Sequence, residues 1–143
     1  MSINPFGKLS PARLKQFEAT LGFPLPADYR EFLRLKNGGK FQGAVVRIAA
    51  LQANVALDEF FGLDLDDRLN LEVWNYQYYY KKPAGSLVIG ADPGGGGMVL
   101  LGLDPGWSGL YYWDHSHWFE KSTPEQSIYL MAATFTELMA MVR

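Results

Sequence analysis

The chain has 143 residues, of which 48% are hydrophobic and 15% aromatic, and its formal net charge is −2. A chain of this size buries roughly two-thirds of its unfolded surface, so we expect a single folded domain over residues 1–143. The lack of cysteine excludes disulfides, thiolate zinc sites and cysteine nucleophiles. The slightly acidic balance argues against direct nucleic-acid binding, which usually requires a basic surface.

The sequence also lacks the features of a targeted or membrane-inserted chain. The first residues, Met-Ser-Ile-Asn-Pro-Phe-Gly-Lys, contain no apolar run behind a basic start, so we expect no signal peptide. No window approaches the ~18 continuous apolar residues of a membrane span. These observations are compatible with a cytoplasmic location.

A first helix is predicted to begin at the N-cap residue Ser10, with Pro11 at its first position. Leu14, Phe17 and Leu21 recur at helical spacing and predict its buried face. Gly22 suits the left-handed conformation that closes a helix, because it has no Cβ.

A second helix is predicted from Pro26, which suits a first helical position because it lacks an N–H group. Asp28 would lie in the first turn, near the positive end of the helix dipole. Tyr29 begins the apolar face, and Asn37 and Gly38 supply a helix stop. The two helices form an N-terminal helical hairpin.

The middle of the chain combines strand and helix patterns. Residues 41–48 and 57–63 predict strands. A helix is predicted over residues 67–80, with Asp64 or Asp66 as its N-cap. Its helical stripe contains Leu69, Val73, Tyr76 or Gln77, and Tyr80, whereas Trp74 and Tyr78 lie off that stripe.

Three further strands are predicted over residues 86–91, 97–103 and 110–114, with Pro-Gly turns between them. Thr134 and Glu137 have the spacing of a capping box, which predicts a final helix to Arg143. The order of elements predicts an α+β domain with a mostly antiparallel sheet of about four to six strands.

Asp92 is followed by Pro-Gly-Gly-Gly-Gly, which at first suggests a phosphate-binding loop. Such a loop needs Gly-Lys-Ser/Thr leading into a helix. Here an apolar strand pattern, Met-Val-Leu-Leu, follows instead. The segment therefore predicts a hairpin turn.

His115 and His117 could be metal ligands, with Asp92 or Asp104 as a third, or they could simply lie at a solvated strand end. Ser116 cannot easily use either neighbour as a base, because adjacent strand residues point to opposite faces. Ser108 lacks the Gly-x-Ser-x-Gly setting of a nucleophile. We therefore expect no catalytic residues, no metal and no cofactor.

Residues 41–80 contain two basic and six acidic side chains. The best candidate for molecular recognition is the acidic run Asp58–Glu72, with Trp74, Tyr76 and Tyr78–Tyr80 nearby. Acidic side chains steer a basic partner, and aromatic side chains anchor it. The alternative is a solvated helix face with its aromatics in the core. The predicted partner-binding residues are Asp58, Glu59, Asp64, Asp66, Asp67, Glu72, Trp74 and Tyr78.

Residues 21–39 carry a resemblance to a known family. They contain Leu-Gly, then Leu-Pro-Ala-Asp-Tyr, then an apolar helix ending in Asn-Gly-Gly. In this pattern the chain resembles the SMI1/KNR4 family, also called the SUKH superfamily. Ile89-Gly90, the Tyr-Tyr-Trp-Asp run ending at Asp114, and the segment from Ala133 to Leu138 are also similar to the family pattern.

The resemblance implies an α+β binding domain without catalytic residues. Bacterial members look like immunity proteins that bind a polymorphic or contact-dependent toxin, often a nuclease, in the cytoplasm of the producing cell. Fungal members are involved in control of cell-wall synthesis, so a regulatory or scaffolding module without a toxin is the alternative. The family motif residues are expected to be structural: Gly22, Pro26, Asp28, Tyr29, Asn37, Gly38 and Trp113.

Overall fold

A computed structural model describes residues 2–143. Seven antiparallel strands form one curled sheet in the order in which they occur along the chain. The strands are β1 Asn4–Pro5, β2 Gly39–Ile48, β3 Ala53–Phe60, β4 Ser86–Ala91, β5 Gly97–Gly102, β6 Gly109–Asp114 and β7 Ile128–Ala132. The helices are α1 Pro11–Ala19, α2 Ala27–Lys36, α3 Leu71–Gln77 and α4 Phe135–Met141. The predicted α+β class is confirmed.

The sheet has more strands than the four to six expected from the sequence. Strand β1 contains two residues, one of them a proline, which is too short to give an alternating pattern. Strand β7 reads Ile-Tyr-Leu-Met-Ala, a short apolar run that does not distinguish a strand from a helix. It pairs with β6, placing Tyr112 opposite Tyr129.

Strand β3 also differs from its prediction, because it ends at Phe60 instead of residue 63 and begins earlier, at Ala53. Val55 and Leu57 are buried and alternate with more exposed neighbours, as expected of a strand with one face in the core. The chain leaves β3 after Phe60 and turns towards the end of α2.

The predicted N-terminal hairpin is present. Ser10 caps α1 through its hydroxyl, which accepts a hydrogen bond from the backbone N–H of Arg13 at 3.1 Å. Gly22 has a φ of +77° and redirects the chain after the helix. Pro26 is the N-cap residue of α2 and not its first helical residue, because its ψ of 141° is extended. Its carbonyl accepts the first intrahelical bond, from Arg30 N at 2.9 Å.

Aromatic rings join α2, β3 and α4 in the core. Phe32 and Phe135 lie 4.8 Å apart between ring centroids, and Phe60 lies 6.0 Å from Phe32. The Asp28 carboxylate links the same two helices, since it accepts from the backbone N–H and the hydroxyl of Thr136 at 2.9 and 3.0 Å. Asp28 therefore has two roles. It is the acidic residue in the first turn of α2, and it links α2 to α4.

The middle helix is shorter than predicted. Neither Asp64 nor Asp66 caps it: Asn70 does, because its side-chain oxygen accepts from Glu72 N at 2.9 Å. The residues Asp67–Leu69 form a separate 3₁₀ turn. The helix ends at Gln77, so the β-favouring run Tyr-Tyr-Tyr that follows is in turns.

Two other sequence predictions are confirmed. The segment from Asp92 to Gly96 is a hairpin turn between β4 and β5, closed by Asp92 N donating to Gly97 O at 2.9 Å. Thr134 caps α4 through a 3.1 Å hydrogen bond from Glu137 N. Within residues 2–143, every helix is too short or too polar to cross a membrane.

Candidate functional site

The Asn37-Gly38 pair at the end of α2 holds the segment that follows β3 in position. Asn37 adopts the left-handed conformation, with φ of 50°, and its side chain is buried. Its amide donates to Leu63 O at 2.9 Å and accepts from Leu63 N at 2.8 Å. A Cβ on Gly38 would lie 2.5 Å from the carbonyl oxygen of Phe60, so a larger residue cannot fit there. This Asn-Gly motif therefore positions Leu63, which directly precedes Asp64 and the acidic residues that follow it.

Two of the predicted acidic residues are engaged by α1. The guanidinium of Arg13 bridges Asp64 at 3.1 Å and Glu72 at 2.6 Å. These hydrogen bonds and the two carboxylate charges outweigh partial burial and raise the pKa of Arg13. Asp64 and Glu72 thus dock the segment on α1, and their charge is compensated within the chain.

Asp66 and Asp67 differ from that pair. Both are exposed, and neither side chain forms an ion pair with any residue among 2–143. Their negative charge therefore remains available to a basic partner.

Asp58 and Glu59 lie near the end of β3. Asp58 is half-buried, and Glu59 is only 7% exposed, with Arg68 Nη1 3.7 Å from one of its oxygens. Burial raises the pKa of Glu59, and the charge of Asp58 raises it further, although Arg68 and Lys40 oppose this. Glu59 is thus a buried strand residue and does not contribute to an exposed acidic surface.

The two predicted aromatic anchors are packing residues. Trp74 stacks on Phe61 with a centroid distance of 4.4 Å and an interplanar angle of 15°, and its indole N–H donates to Arg68 O at 2.7 Å. Tyr78 is half-buried, with its ring 6.0 Å from that of Trp74 and 5.9 Å from that of Trp113. Trp113 is 6% exposed and lies in the core.

The exposed aromatic residues of this region are three other tyrosines. Tyr76, Tyr79 and Tyr80 are 87%, 64% and 95% exposed. The rings of Tyr79 and Tyr80 contact each other edge to face at 4.9 Å. Together with Asp66 and Asp67 they define what we call the acidic-tyrosine segment, residues 66–80.

Val73 and Tyr76, which belong to the helical stripe noted in the sequence, are exposed in the structure. The buried face consists of Leu71, Trp74 and Tyr78, at positions i, i+3 and i+7. Asn75 extends it, since its side chain donates to Val88 O and accepts from Val88 N, at 2.8 and 2.7 Å. In the sequence this face is found by taking Leu71 instead of Leu69 as the first apolar position of the helical pattern.

A groove of about 620 Å³ lies beside the tyrosines. One wall comes from the end of α1 and the turn after it, with Phe17, Leu21 and Phe23, and the other includes Tyr76 and Tyr79. Large apolar area at an exposed concave surface is typical of a protein-binding site.

The two histidines that were weighed as metal ligands do not lie on one strand. Strand β6 ends at Asp114, so His115 and His117 lie in a turn, with His117 at a positive φ of 54°. The ring of His115 packs against Tyr78 and Trp113 at 5.2 and 5.0 Å, and burial, with lesser effects of Lys81 and His117, lowers its pKa. Across residues 2–143, no three His, Cys, Asp or Glu side chains converge as metal ligands.

Asp114 organises this turn. Its carboxylate is fully buried and accepts hydrogen bonds from Trp118 N, Phe119 N and the Ser122 hydroxyl at 2.8, 2.9 and 2.6 Å. A buried carboxylate needs such donors, because they replace its lost hydration. Both residues of the Trp113-Asp114 pair therefore stabilise the fold: Trp113 packs in the core and Asp114 holds the turn.

Comparison with individual curated proteins finds no match to the chain. Comparison with protein-family models finds the SMI1 / KNR4 family (SUKH-1), matched over residues 8–141. This match covers the helical hairpin, the sheet from β2 onwards and all of α4. The chain therefore belongs to the SMI1/KNR4 (SUKH-1) family.

Proposed function

We propose that the chain is a non-enzymatic protein-binding domain that acts as a bacterial immunity protein and neutralises a cognate toxin in the cytoplasm of the producing cell. One observation carries the binding role: the acidic-tyrosine segment exposes three large aromatic side chains beside two carboxylates without ion-pair partners among the described residues. Family membership supports the toxin as the class of partner.

The two kinds of side chain would act at different stages of binding. Asp66 and Asp67 attract a basic toxin surface and speed the encounter, because exposed complementary charges act mainly on the association rate. Tyr76, Tyr79 and Tyr80 then lose their exposed area in the complex. Tyrosine is enriched among the few residues that supply most of an interface's binding energy.

The scaffold reduces the entropy lost on binding. Arg13 binds Asp64 and Glu72, which lie on either side of Asp66 and Asp67 in the sequence, and so holds this part of the chain against α1. Asn37 holds Leu63, just before it, against the end of α2. A segment that is already held in position loses less conformational freedom when a partner docks. Inhibition would follow from occlusion, with an interface of about 800 Å² on each partner.

The proposal is tested by co-expressing the chain with the protein encoded beside its own gene, and measuring complex formation by size-exclusion chromatography with light scattering. We expect a stoichiometric complex and recovery of growth in cells that express the toxin domain. A toxic neighbour whose growth inhibition is unchanged by the chain would contradict the immunity role. A non-toxic neighbour that binds stoichiometrically would favour a regulatory or scaffolding module instead.

A further inference from the structure

A second concave surface lies at the hairpin turn between β4 and β5. This groove, of about 430 Å³, is lined by the turn, by the start of β3 and by the loop after β6. Its lining includes Asp92, Tyr112, Trp118 and Phe119. It shares no residue with the acidic-tyrosine segment or with the groove beside the tyrosines.

Asp92 places a poorly compensated carboxylate in this groove. One of its oxygens accepts from the hydroxyl of Tyr112 at 3.2 Å. The other, Oδ1, is shielded from solvent and has no hydrogen-bond donor among the described residues. No lysine, arginine or histidine of residues 2–143 forms an ion pair with Asp92. A carboxylate that has lost hydration without gaining a cation favours the approach of positive charge.

Glycines in the turn and at the start of β5 allow the close packing that forms the groove. A Cβ on Gly97 would lie 1.9 Å from the hydroxyl oxygen of Tyr112, so only glycine lets that ring cross the strand and reach Asp92. Ser116 N donates to Gly96 O at 3.0 Å, which holds the next loop against the turn. The glycine run therefore serves close packing around Asp92.

Trp118 provides an aromatic face at the same groove. Its side chain is 82% exposed, yet its backbone N–H is fixed by the 2.8 Å hydrogen bond to the buried carboxylate of Asp114. Phe119 is fixed by the same carboxylate at 2.9 Å. An exposed indole on a pre-organised backbone is the usual form of a binding anchor, and indole is the strongest aromatic partner for a cation.

We propose that this groove binds an arginine side chain of a protein partner. The planar guanidinium stacks on the indole of Trp118 while its N–H groups approach the Asp92 carboxylate. Arginine fits better than lysine because its guanidinium is flat, is less strongly hydrated and offers several N–H donors to one carboxylate.

The inference is tested with the full chain and a short probe, acetyl-Gly-Arg-Gly-amide, by two-dimensional NMR of the ¹⁵N-labelled protein. We expect saturable shifts of the Trp118 indole N–H and of the amides of residues 94–97. The matched peptide with citrulline in place of arginine has the same shape without the charge. Its affinity should be at least about fivefold lower, because citrulline loses both the cation–π contact and the attraction to Asp92.

Two variants test whether the arginine of the peptide binds in the groove. Trp118→Ala removes the aromatic face at an exposed position and should weaken binding about three- to fivefold. Asp92→Asn removes the charge and should weaken it about two- to fivefold. Tyr80→Ala, an equally exposed aromatic outside the groove, should leave the affinity unchanged.

Three results would overturn the inference: no saturable shift at the groove, equal affinity for the arginine and citrulline peptides, or equal affinity of the wild type and Trp118→Ala. Groove shifts that depend on protein concentration without peptide would identify a second copy of the chain as the occupant and would also overturn it. Because the probe is a peptide, these outcomes are independent of whether the partner is a toxin.

Discussion

The side-chain amide of Asn37 forms a two-way hydrogen-bonded pair with the backbone of Leu63, donating at 2.9 Å and accepting at 2.8 Å. Residues 26 positions apart are thereby joined at a buried site where α2 ends and the acidic stretch begins. The most recognisable motif of the chain thus positions the segment that we propose to bind a partner.

Replacing Asn37 with alanine should lower the free energy of unfolding by about 2–4 kcal/mol, because the buried N–H and C=O of Leu63 lose their partners. The left-handed backbone at this position adds to the cost for alanine. Urea denaturation followed by tryptophan fluorescence measures the change. Asn54→Ala, at an exposed asparagine on β3, is the control and should change stability by less than about 0.5 kcal/mol. Equal stabilities of the two variants would contradict the role given to Asn37.

Asp114→Asn should lower the free energy of unfolding by about 1.5–3 kcal/mol, because hydrogen bonds to a buried charged acceptor are replaced by weaker ones. Amide hydrogen exchange should accelerate most at Trp118 and Phe119. Asp66→Asn, at an exposed aspartate, provides the comparison. Unaltered exchange in the loop after β6 would show that Asp114 does not hold it.

Glu59 gives a pH-dependent prediction. Its pKa is raised in the folded state, so the stability it contributes is present below its ordinary pKa of about 4.3 and is lost as the pH rises through the raised value. Glu59→Gln removes the cost of the buried charge. The variant should melt at a higher temperature than the wild type at pH 7, and this gain should shrink below about pH 4. A gain of the same size at both pH values would contradict the account.

Reversing Asp66 and Asp67 to lysine should slow association with a basic toxin domain and reduce the salt dependence of its rate, because exposed charges act on the encounter. Asp64 is better left intact, since its reversal would also break the contact with Arg13. Surface plasmon resonance at several salt concentrations measures the effect. The double variant Glu120→Lys with Glu125→Lys has the same net charge and alters exposed residues elsewhere. If the two variants slowed association equally, net charge alone would be responsible.

The sequence predicted the fold where local rules decide it. Ser10, Gly22 and Thr134 mark helix ends through capping or left-handed geometry, and the Pro-Gly turns separate β4, β5 and β6. Strands β1 and β7 were missed because one is too short for a pattern and the other is ambiguous between strand and helix.

The candidate site was harder to predict, because exposure depends on tertiary contacts. The acidic run Asp58–Glu72 is visible in the sequence, but Arg13, distant in the chain, compensates two of its charges. Trp74 and Tyr78 were expected as anchors and instead pack against Phe61 and Trp113. Taking Leu71 instead of Leu69 as the first apolar position of the helix selects Trp74 and Tyr78 as the buried face and leaves Tyr76 exposed.

The most direct test of the central claim is the affinity of the chain for its proposed toxin partner, measured by calorimetry for the wild type and for Tyr76→Ala/Tyr79→Ala/Tyr80→Ala. All three side chains are exposed, so the melting temperature should change little. Leu35→Ala, at an exposed apolar residue of α2, is the control. We predict a loss of affinity of about 100-fold or more for the triple variant, as expected when interface hot spots are removed, with no protection of growth. Wild-type affinity in the triple variant would contradict the claim.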